Sequence, residues 1–439
     1  MPSRSAFLIV RDEQECLERC LHSLREVVEE VVVVDTGSRD GTVEIARAWA
    51  DCVCSFPWAD DFSAARNFAI EQASGEYLLM IDADNWITNP EAAGGLLAAF
   101  AARHGDDVVG TVEITNVVGA GADAKAVLEV APRFFRRGRF RYEGAIHEQL
   151  VPVGGGMRLA PTGLRYHHTG YAHDVASPRH KSRRNKPMLL KAVAEDPDDE
   201  YYLYQLGKAH FCLNEFDEAG EAFERALACI RFESDGRALG RAGAVAAEVL
   251  TDLVVSLAYA YANTGRLAEA KTHLETHQAL GHAGTNSADF QHARGYVYLM
   301  LGDVARAKAA YQQALRLGTA SEQVVGAAGF SSHYHLGLLC EAEEDVAGAL
   351  ACYAEALEAN PRYAPALARC IDVIVERRVP LPAEVWRACD REAFVAAYVH
   401  KLEGLLAQKD TSAAALLIEA ARRVAPELHA RCIAQVGGR

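Results

Sequence analysis

Two carboxylates one residue apart, Asp82 and Asp84, stand at the end of the apolar run Tyr77 to Ile81. Acidic side chains at that spacing, projected from a strand end into a crevice, can hold a divalent cation through oxygen ligands. Pairs of this kind also serve as helix caps and surface turns, so the residues around them decide their use. Upstream, Asp35 closes the run Val31 to Val34 and is followed by Thr36-Gly37-Ser38-Arg39-Asp40-Gly41-Thr42, a polar turn and a helix start. Further on comes Trp58-Ala59-Asp60-Asp61-Phe62-Ser63-Ala64-Ala65-Arg66-Asn67.

The elements that must position these groups follow from hydrophobic periodicity. Phe7 to Val10, Val31 to Val34 and Tyr77 to Ile81 read as buried strands, and Gln14 to Leu24, Gly41 to Ala50 and Ser63 to Ala73 have helical spacing. Strands alternating with helices predict a mostly parallel sheet covered on both faces. Ligands of such sheets sit beyond the carboxyl ends of the strands. Asp35, Asp82 and Asp84 all follow strand ends, so they are expected to converge on one crevice. From about residue 108 to 170 the pattern turns β-rich, with Val108 to Val118, Val127 to Phe135 and a Gly154-Gly155-Gly156 turn, as suits an acceptor-side half of the same domain.

Taken in order, these segments closely resemble glycosyltransferase family 2 with its GT-A nucleotide-sugar fold, over roughly residues 5 to 170. The resemblance includes Ile9-Val10-Arg11-Asp12-Glu13, Arg133-Phe134-Phe135-Arg136, Gly144-Ala145-Ile146-His147-Glu148-Gln149 and His168-Thr169-Gly170-Tyr171. It implies an inverting, metal-dependent transfer of a hexose or N-acetylhexosamine from a UDP-sugar. Asp35 would meet the uracil or ribose, with Arg11 and Glu13 lining the same pocket. Asp82 would face the ribose or the metal, and Asp84 would bind Mn²⁺ or Mg²⁺ on the diphosphate. Arg66 would support the nucleotide or phosphates, Asn67 would order its helix, and His168 would complete the metal or diphosphate site. The cation and guanidinium groups would stabilise the departing nucleoside diphosphate. An inverting transfer then needs one general base, for which Glu148, Glu143 and His147 are the candidates, in that order. Relatives often carry an acidic residue where this chain has Asn85, a change that would weaken or retune the metal site.

After residue 200 the chain is rich in Ala, Leu and Glu and repeats itself. Leu206-Gly207 with Ala219, Phe223 and Ala226 recurs as Leu257-Ala258 with Tyr261, Ala270 and Leu274. It returns as Gly295, Tyr298, Ala307, Tyr311 and Ala314, and as Leu336-Gly337, Ala349, Tyr353, Ala356 and Pro361. These spacings resemble the tetratricopeptide repeat, at a longer and uneven period that loops or extended helices between hairpins would explain. The expected architecture is an α/β GT-A (Rossmann-like) nucleotide-sugar domain followed by an all-α tetratricopeptide-like solenoid. Its expected parts are the GT-A domain over 1–178, a linker over 179–198 that includes the basic stretch Arg179 to Lys186, repeats over 199–362 and a helical cap over 363–439. The groove of such an array serves a peptide or protein acceptor, a buttress for the catalytic domain, or a second copy of the chain as a homodimer. The layout resembles bacterial peptide or protein glycosyltransferases, and the catalytic half resembles enzymes that build lipopolysaccharide core. A scaffold with a vestigial transferase half is the non-catalytic alternative.

Composition narrows the classes. With half of its 439 residues apolar the chain has ample core, and a net charge of -15 argues against wholesale binding to nucleic acid or anionic membrane. The arginines 133, 136, 137, 139 and 141 alternate with Phe134, Phe135, Phe140 and Tyr142, which suits contacts to the donor or an anionic acceptor, or plain solvated strand faces. His147, His167, His168 and His173 match no structural zinc spacing. Eleven scattered cysteines, with Cys52 and Cys54 on one strand, suit a reducing compartment. No apolar run reaches membrane-spanning length, so a cytoplasmic protein is expected.

Overall fold

The computed structural model describes residues 2–118, 125–168, 178–233, 237–241, 243–282 and 284–437. Thr169, Gly170, Tyr171 and His173 lie outside the described residues. Two compact units divide the chain, Met1–Pro197 and Asp198–Arg439.

The first unit opens with β1 (Arg4–Val10), α1 (Leu17–Leu24), β2 (Glu30–Asp35), α2 (Thr42–Trp49), β3 (Cys52–Ser55), α3 (Phe62–Gln72) and β4 (Tyr77–Met80). It continues with β5 (Asn85–Ile87), α4 (Pro90–Arg103), β6 (Val108–Val118), β7 (Lys125–Arg136), β8 (Phe140–Glu143), β9 (Gln149–Pro152), β10 (Arg158–His168) and α5 (Pro178–Glu195). Among the described residues, eight strands form one mixed sheet in the order β3-β2-β1-β4-β7-β6-β10-β5, while β8 and β9 form a separate hairpin. β1 runs parallel to β2 and β4, with Val10 opposite Asp35 and Phe7 opposite Met80, so the three strands end on the same edge. The parallel centre of the sheet, β1, β2 and β4, is buried on both faces, as parallel strands usually are. Leu17, Leu21, Ala46, Leu97 and Phe100 cover one side, from α1, α2 and α4. Ala69 and Ala73, at the end of α3, and Phe140, Tyr142 and Leu150 of the hairpin cover the other.

The expectation of a linker over 179–198 gives way here. Residues 178–195 are the helix α5, which runs through Pro187 and buries Met188, Leu189, Ala192 and Val193. Those four positions fall at helical spacing, and the apolar stripe outweighs the proline and the charge run that suggested a linker.

The second unit is a succession of helical hairpins. α6 (Glu200–Cys212) pairs with α7 (Phe216–Cys229), α8 (Ala247–Asn263) with α9 (Leu267–Ala279), α10 (Ala288–Met300) with α11 (Val304–Leu317), and α12 (Phe330–Ala342) with α13 (Val346–Ala359). Three short strands, Arg231–Phe232, Ala238–Gly240 and Gly243–Ala244, fill the gap before α8 and account for part of the uneven period. A Cβ at Gly207, Gly295 or Gly337 would lie 2.4, 2.7 or 2.3 Å from the ring of Phe223, Tyr311 or Tyr353. Three of these four hairpins, all but α8 with α9, therefore close by laying an aromatic ring against a bare backbone. α14 (Ala364–Arg377), α15 (Ala383–Ala388), α16 (Arg391–Ala407), α17 (Thr411–Ala420) and α18 (Pro426–Gly437) share one core with α13. No helix of the described residues is long and apolar enough to cross a membrane.

Gly295→Ala is expected to destabilise the protein by about 1–3 kcal/mol through overpacking against the buried Tyr311. Gly404→Ala in α16, where a Cβ meets nothing within 4 Å, is expected to be neutral or stabilising by up to about 1 kcal/mol. Denaturant unfolding of the two variants checks the contrast. A second expectation concerns acid. Burial holds His273 at about 4, and burial holds His277 and His292 at about 3. Their neutral forms suit the folded state, so this contribution is complete above about pH 6.5 and is lost as the pH falls toward 4 and 3. The urea midpoint is expected to fall between pH 7.5 and pH 5, and His292→Phe is expected to shrink that fall.

Candidate active site

The loops that follow β1 and β2 are stitched together by short polar side chains. Asp12 N donates to Ser38 Oγ at 3.0 Å, Arg39 N to Asp12 Oδ1 at 2.7 Å, Glu13 N to Thr42 Oγ1 at 2.7 Å and Gly41 N to Gln14 Oε1 at 2.9 Å. Asp35 turns its carboxylate into its own loop, accepting from the backbone of Gly37 at 3.2 Å and Ser38 at 3.0 Å. Arg11 is exposed at the end of β1. This seam fixes the two loops beyond the ends of β1 and β2 against each other.

The centre of the site is Asp82. Its Oδ1 accepts from Arg66 Nη2 at 3.0 Å and its Oδ2 from Arg133 Nη2 at 3.2 Å. Burial opposes its charge, but the two guanidinium groups prevail and hold the carboxyl at about 2. Arg66 also donates through Nε to Glu148, and its Nη1 is buried without a protein partner among the described residues. The ring of Tyr142 lies 5.4 Å from its Cζ. Arg66 reaches this position because α3 is fastened at its start. Asp61 caps the helix by accepting from Ala64 N at 2.8 Å, and Ser63 Oγ donates to Gly144 O at 2.6 Å. Asn67 clasps the backbone of Tyr142 in both directions, at 2.8 and 2.9 Å, so its role is to join helix to hairpin.

Arg133 arrives by a different route. Gly110 pairs with Phe134 and Thr111 with Pro132, which leaves Arg133 as the extra residue of a β-bulge, a device that re-aims a side chain. The rest of the arginine run disperses. Arg136 binds Glu76 and Asp106, Arg137 donates to Gly75 O, and Arg141 pairs with Glu143.

Asp84 and His168 meet because β5 pairs with the end of β10, placing His168 opposite Asn85. His168 Nε2 and Asp84 Oδ2 stand 2.9 Å apart. Adjacent ligands of an octahedral cation at about 2.1 Å would be separated by about 3 Å, so this pair fits one divalent ion. Asp82 fits less well, since both of its oxygens are taken by arginines. Among the described residues no three His, Cys, Asp or Glu side chains are grouped closely enough to hold a metal by themselves. Substrate oxygens and water would have to complete the shell, as is usual for Mg²⁺. Asn85 is only 3% exposed. A carboxylate there would add a buried charge beside Asp82 and Asp84. His167 instead packs at a tilt against Trp86, with ring centroids 4.4 Å apart.

Glu13 belongs to the same cluster. Burial raises its carboxyl pKa, and the charges of Asp84 and Asp82 raise it further, while a 3.1 Å contact from Cys16 Sγ works the other way. The three candidate bases separate as well. Glu148 is bound to Arg66, Glu143 is bound to Arg141 and half exposed, and His147 has a pKa lowered by burial and by the Arg184 charge, with Glu148 opposing.

The Glycosyl transferase family 2 model matches residues 5–156, and the tetratricopeptide repeat model matches residues 184–234 and 292–364. Residues 5–156 are a glycosyltransferase family 2 domain. The first unit is thus a Rossmann-like GT-A sheet, and tetratricopeptide repeats follow it. A TPR repeat-containing protein of Synechococcus elongatus is 32% identical over 229 residues, 47% of this chain and 52% of that protein. The SPbeta prophage-derived glycosyltransferase SunS of Bacillus subtilis is 26% identical over 238 residues, 52% of this chain and 53% of that protein. The lipopolysaccharide core biosynthesis glycosyltransferase LpsC of Rhizobium meliloti is 33% identical over 175 residues, 37% of this chain and 62% of that protein. The chain spans 52% to 62% of the length of these relatives.

In the family 2 domain, Arg133 binds Asp82, Glu148 binds Arg66 and Glu13 lies in the field of Asp82 and Asp84, in ways that residue spacing did not specify. A bulge and a salt bridge leave no local sequence signature. Removing Arg66 leaves the largely buried Glu148 without its partner and takes one of two guanidinium groups from the partly exposed Asp82, so Arg66→Leu is expected to cost about 1–3 kcal/mol. Adding Asp82→Asn to that variant is expected to recover part of the loss, measured as a double-mutant cycle in denaturant.

Proposed function

We propose that this chain is an inverting, metal-dependent glycosyltransferase that moves a hexose or N-acetylhexosamine from a UDP-sugar to a peptide or protein acceptor. The observation that carries the reading is the meeting of Asp82, Asp84, Glu13, Arg66, Arg133 and His168 beyond the strand ends of a family 2 domain. Asp84 and His168 would hold Mn²⁺ or Mg²⁺, whose charge, when bound, would stabilise the departing diphosphate. Arg66 and Arg133 keep Asp82 ionised and oriented toward the nucleotide. Arg11, Glu13 and Asp35 would line the nucleoside side of the crevice.

Glu148 serves best as the anchor of Arg66, whose Nε it already binds. His147 is the better proton acceptor. Burial keeps its imidazole neutral to lower pH than usual, and a neutral ring can take the acceptor proton. The repeats supply the reason for a peptide or protein acceptor, since stacked hairpins present extended binding surfaces. The name of LpsC favours a glycan acceptor as the second reading. The free cysteines among the described residues suit a cytoplasmic setting.

Incubating the protein with a panel of UDP-sugars and Mn²⁺ is expected to release UDP, and intact-mass analysis of added peptides against glycans separates the two acceptor readings. No turnover across the panel, together with no thermal shift by UDP and Mn²⁺, would sink the enzymatic reading. Asp84→Ala is expected to abolish the metal-dependent part of that shift. His147→Ala is expected to lower kcat by about 10²- to 10⁴-fold with UDP binding retained. The acid limb of the wild-type rate profile is expected below pH 6.5, where the imidazole becomes protonated. If Glu148→Gln removes turnover while leaving UDP binding intact, the base is Glu148.

A further inference from the structure

The charge run at the start of α5 is the part of the first unit that the proposed mechanism leaves unused. From Arg179 to Lys186 it carries five cationic side chains and a histidine with no acid, in a chain of net charge -15. The face of α5 that buries Met188, Leu189 and Ala192 continues at helical spacing to Asn185, Arg184 and Lys181. Arg184 lies on that stripe, with its Cζ 5.8 Å from the centroid of the Phe62 ring. Phe62 is the first residue of α3, one turn before Arg66, and its backbone N donates to Ala145 O in the loop that carries His147 and Glu148 at 2.8 Å. The guanidinium therefore stands at the junction of α3 with the hairpin.

Its chemical situation differs from that of the other two arginines of the site. Arg66 is shared between two carboxylates and Arg133 is held by one. Arg184 donates through Nε to the amide oxygen of Asn185 at 3.0 Å and forms no ion pair among the described residues. The charged groups that act on it across the crevice are Glu13, which opposes the effect of burial, and His147, whose pKa it lowers. Glu13 is itself within the field of Asp84 and Asp82. An exposed cation with no ion pair among the described residues, beside the junction of α3 with the hairpin and within the field of Glu13, is an arrangement that can receive an oxyanion.

Resting on the UDP-sugar reading above, we propose that Arg184 of α5 is a further substrate-binding residue, which takes a phosphoryl oxygen of the donor's diphosphate on the side opposite Arg66. It makes α5 a part of the active site rather than a connection beyond it. An anionic group on the acceptor would offer the same oxyanion chemistry, and the experiment separates the two sources.

Calorimetric titration of the full chain with UDP and with uridine, each in Mn²⁺, tests the assignment in four proteins: wild type, Arg184→Ala, Arg184→Lys and Arg183→Ala. The expected result is UDP binding weakened about tenfold or more in Arg184→Ala, in line with loss of one charge-assisted contact. Uridine binding should be unchanged, Arg184→Lys should recover part of the loss, and Arg183→Ala should match the wild type. Unchanged UDP affinity in Arg184→Ala overturns the donor assignment, and if inorganic phosphate binding is lost in the same variant, the oxyanion comes from the acceptor. Equal weakening of UDP and uridine marks a packing role and also overturns it. Wild-type protein that binds neither UDP nor uridine overturns the donor reading itself, a result distinct from the other outcomes.

Discussion

The buried guanidinium of Arg66 is the interaction on which the first unit's site depends. It joins three parts of the chain far apart in sequence: the first turns of α3, the end of β4 at Asp82, and the hairpin loop at Glu148. A charge this poorly solvated persists only when its partners are in place. The carboxylates gain from it in turn, since burial opposes the charge of Asp82 while Arg66 and Arg133 favour it. The bonds of Ser63, Asn67 and Phe62 to the hairpin backbone are best understood as the scaffold that holds this guanidinium on target.

That arrangement divides the labour of the crevice. Asp82 is committed to arginines, whereas Asp84 is turned toward His168 by the pairing of β5 with β10. Two carboxylates one residue apart thus meet different environments, because the strand β5 begins directly after them and rotates the second away from the first. Asn85 supports the division by being neutral where the backbone is already buried. The second unit is held by a simpler device, repeated at Gly207, Gly295 and Gly337, in which a ring occupies the space a side chain would need.

Much of this was legible in the residues. The parallel strands β1, β2 and β4 follow from short continuous apolar runs, and α1 to α3 from their periodicity. The hairpins follow from the recurrence of a small residue and a large ring at fixed offsets. The chain order of the family 2 motifs carried the domain identity. Less legible was α5, where a proline and a run of cations hid an apolar stripe that begins only at Met188. The arginine run on β7 and β8 was equally opaque, because strand alternation and one bulge send its members to different partners.

The sequence by itself determined the strands and helices that open the first unit, that strand ends bear carboxylates, and that a repeat array follows, since each of these depends on residues close together in the chain. Only the tertiary structure decided that Asp82 belongs to Arg66 and Arg133, that Asp84 belongs to His168, and that Glu148 is bound to Arg66 while His147 is not. Those pairings link residues 16 to 84 positions apart. Their energies depend on burial and on the angle at which a side chain leaves its strand, and neither quantity exists until the sheet, helix α3 and the hairpin have closed around them.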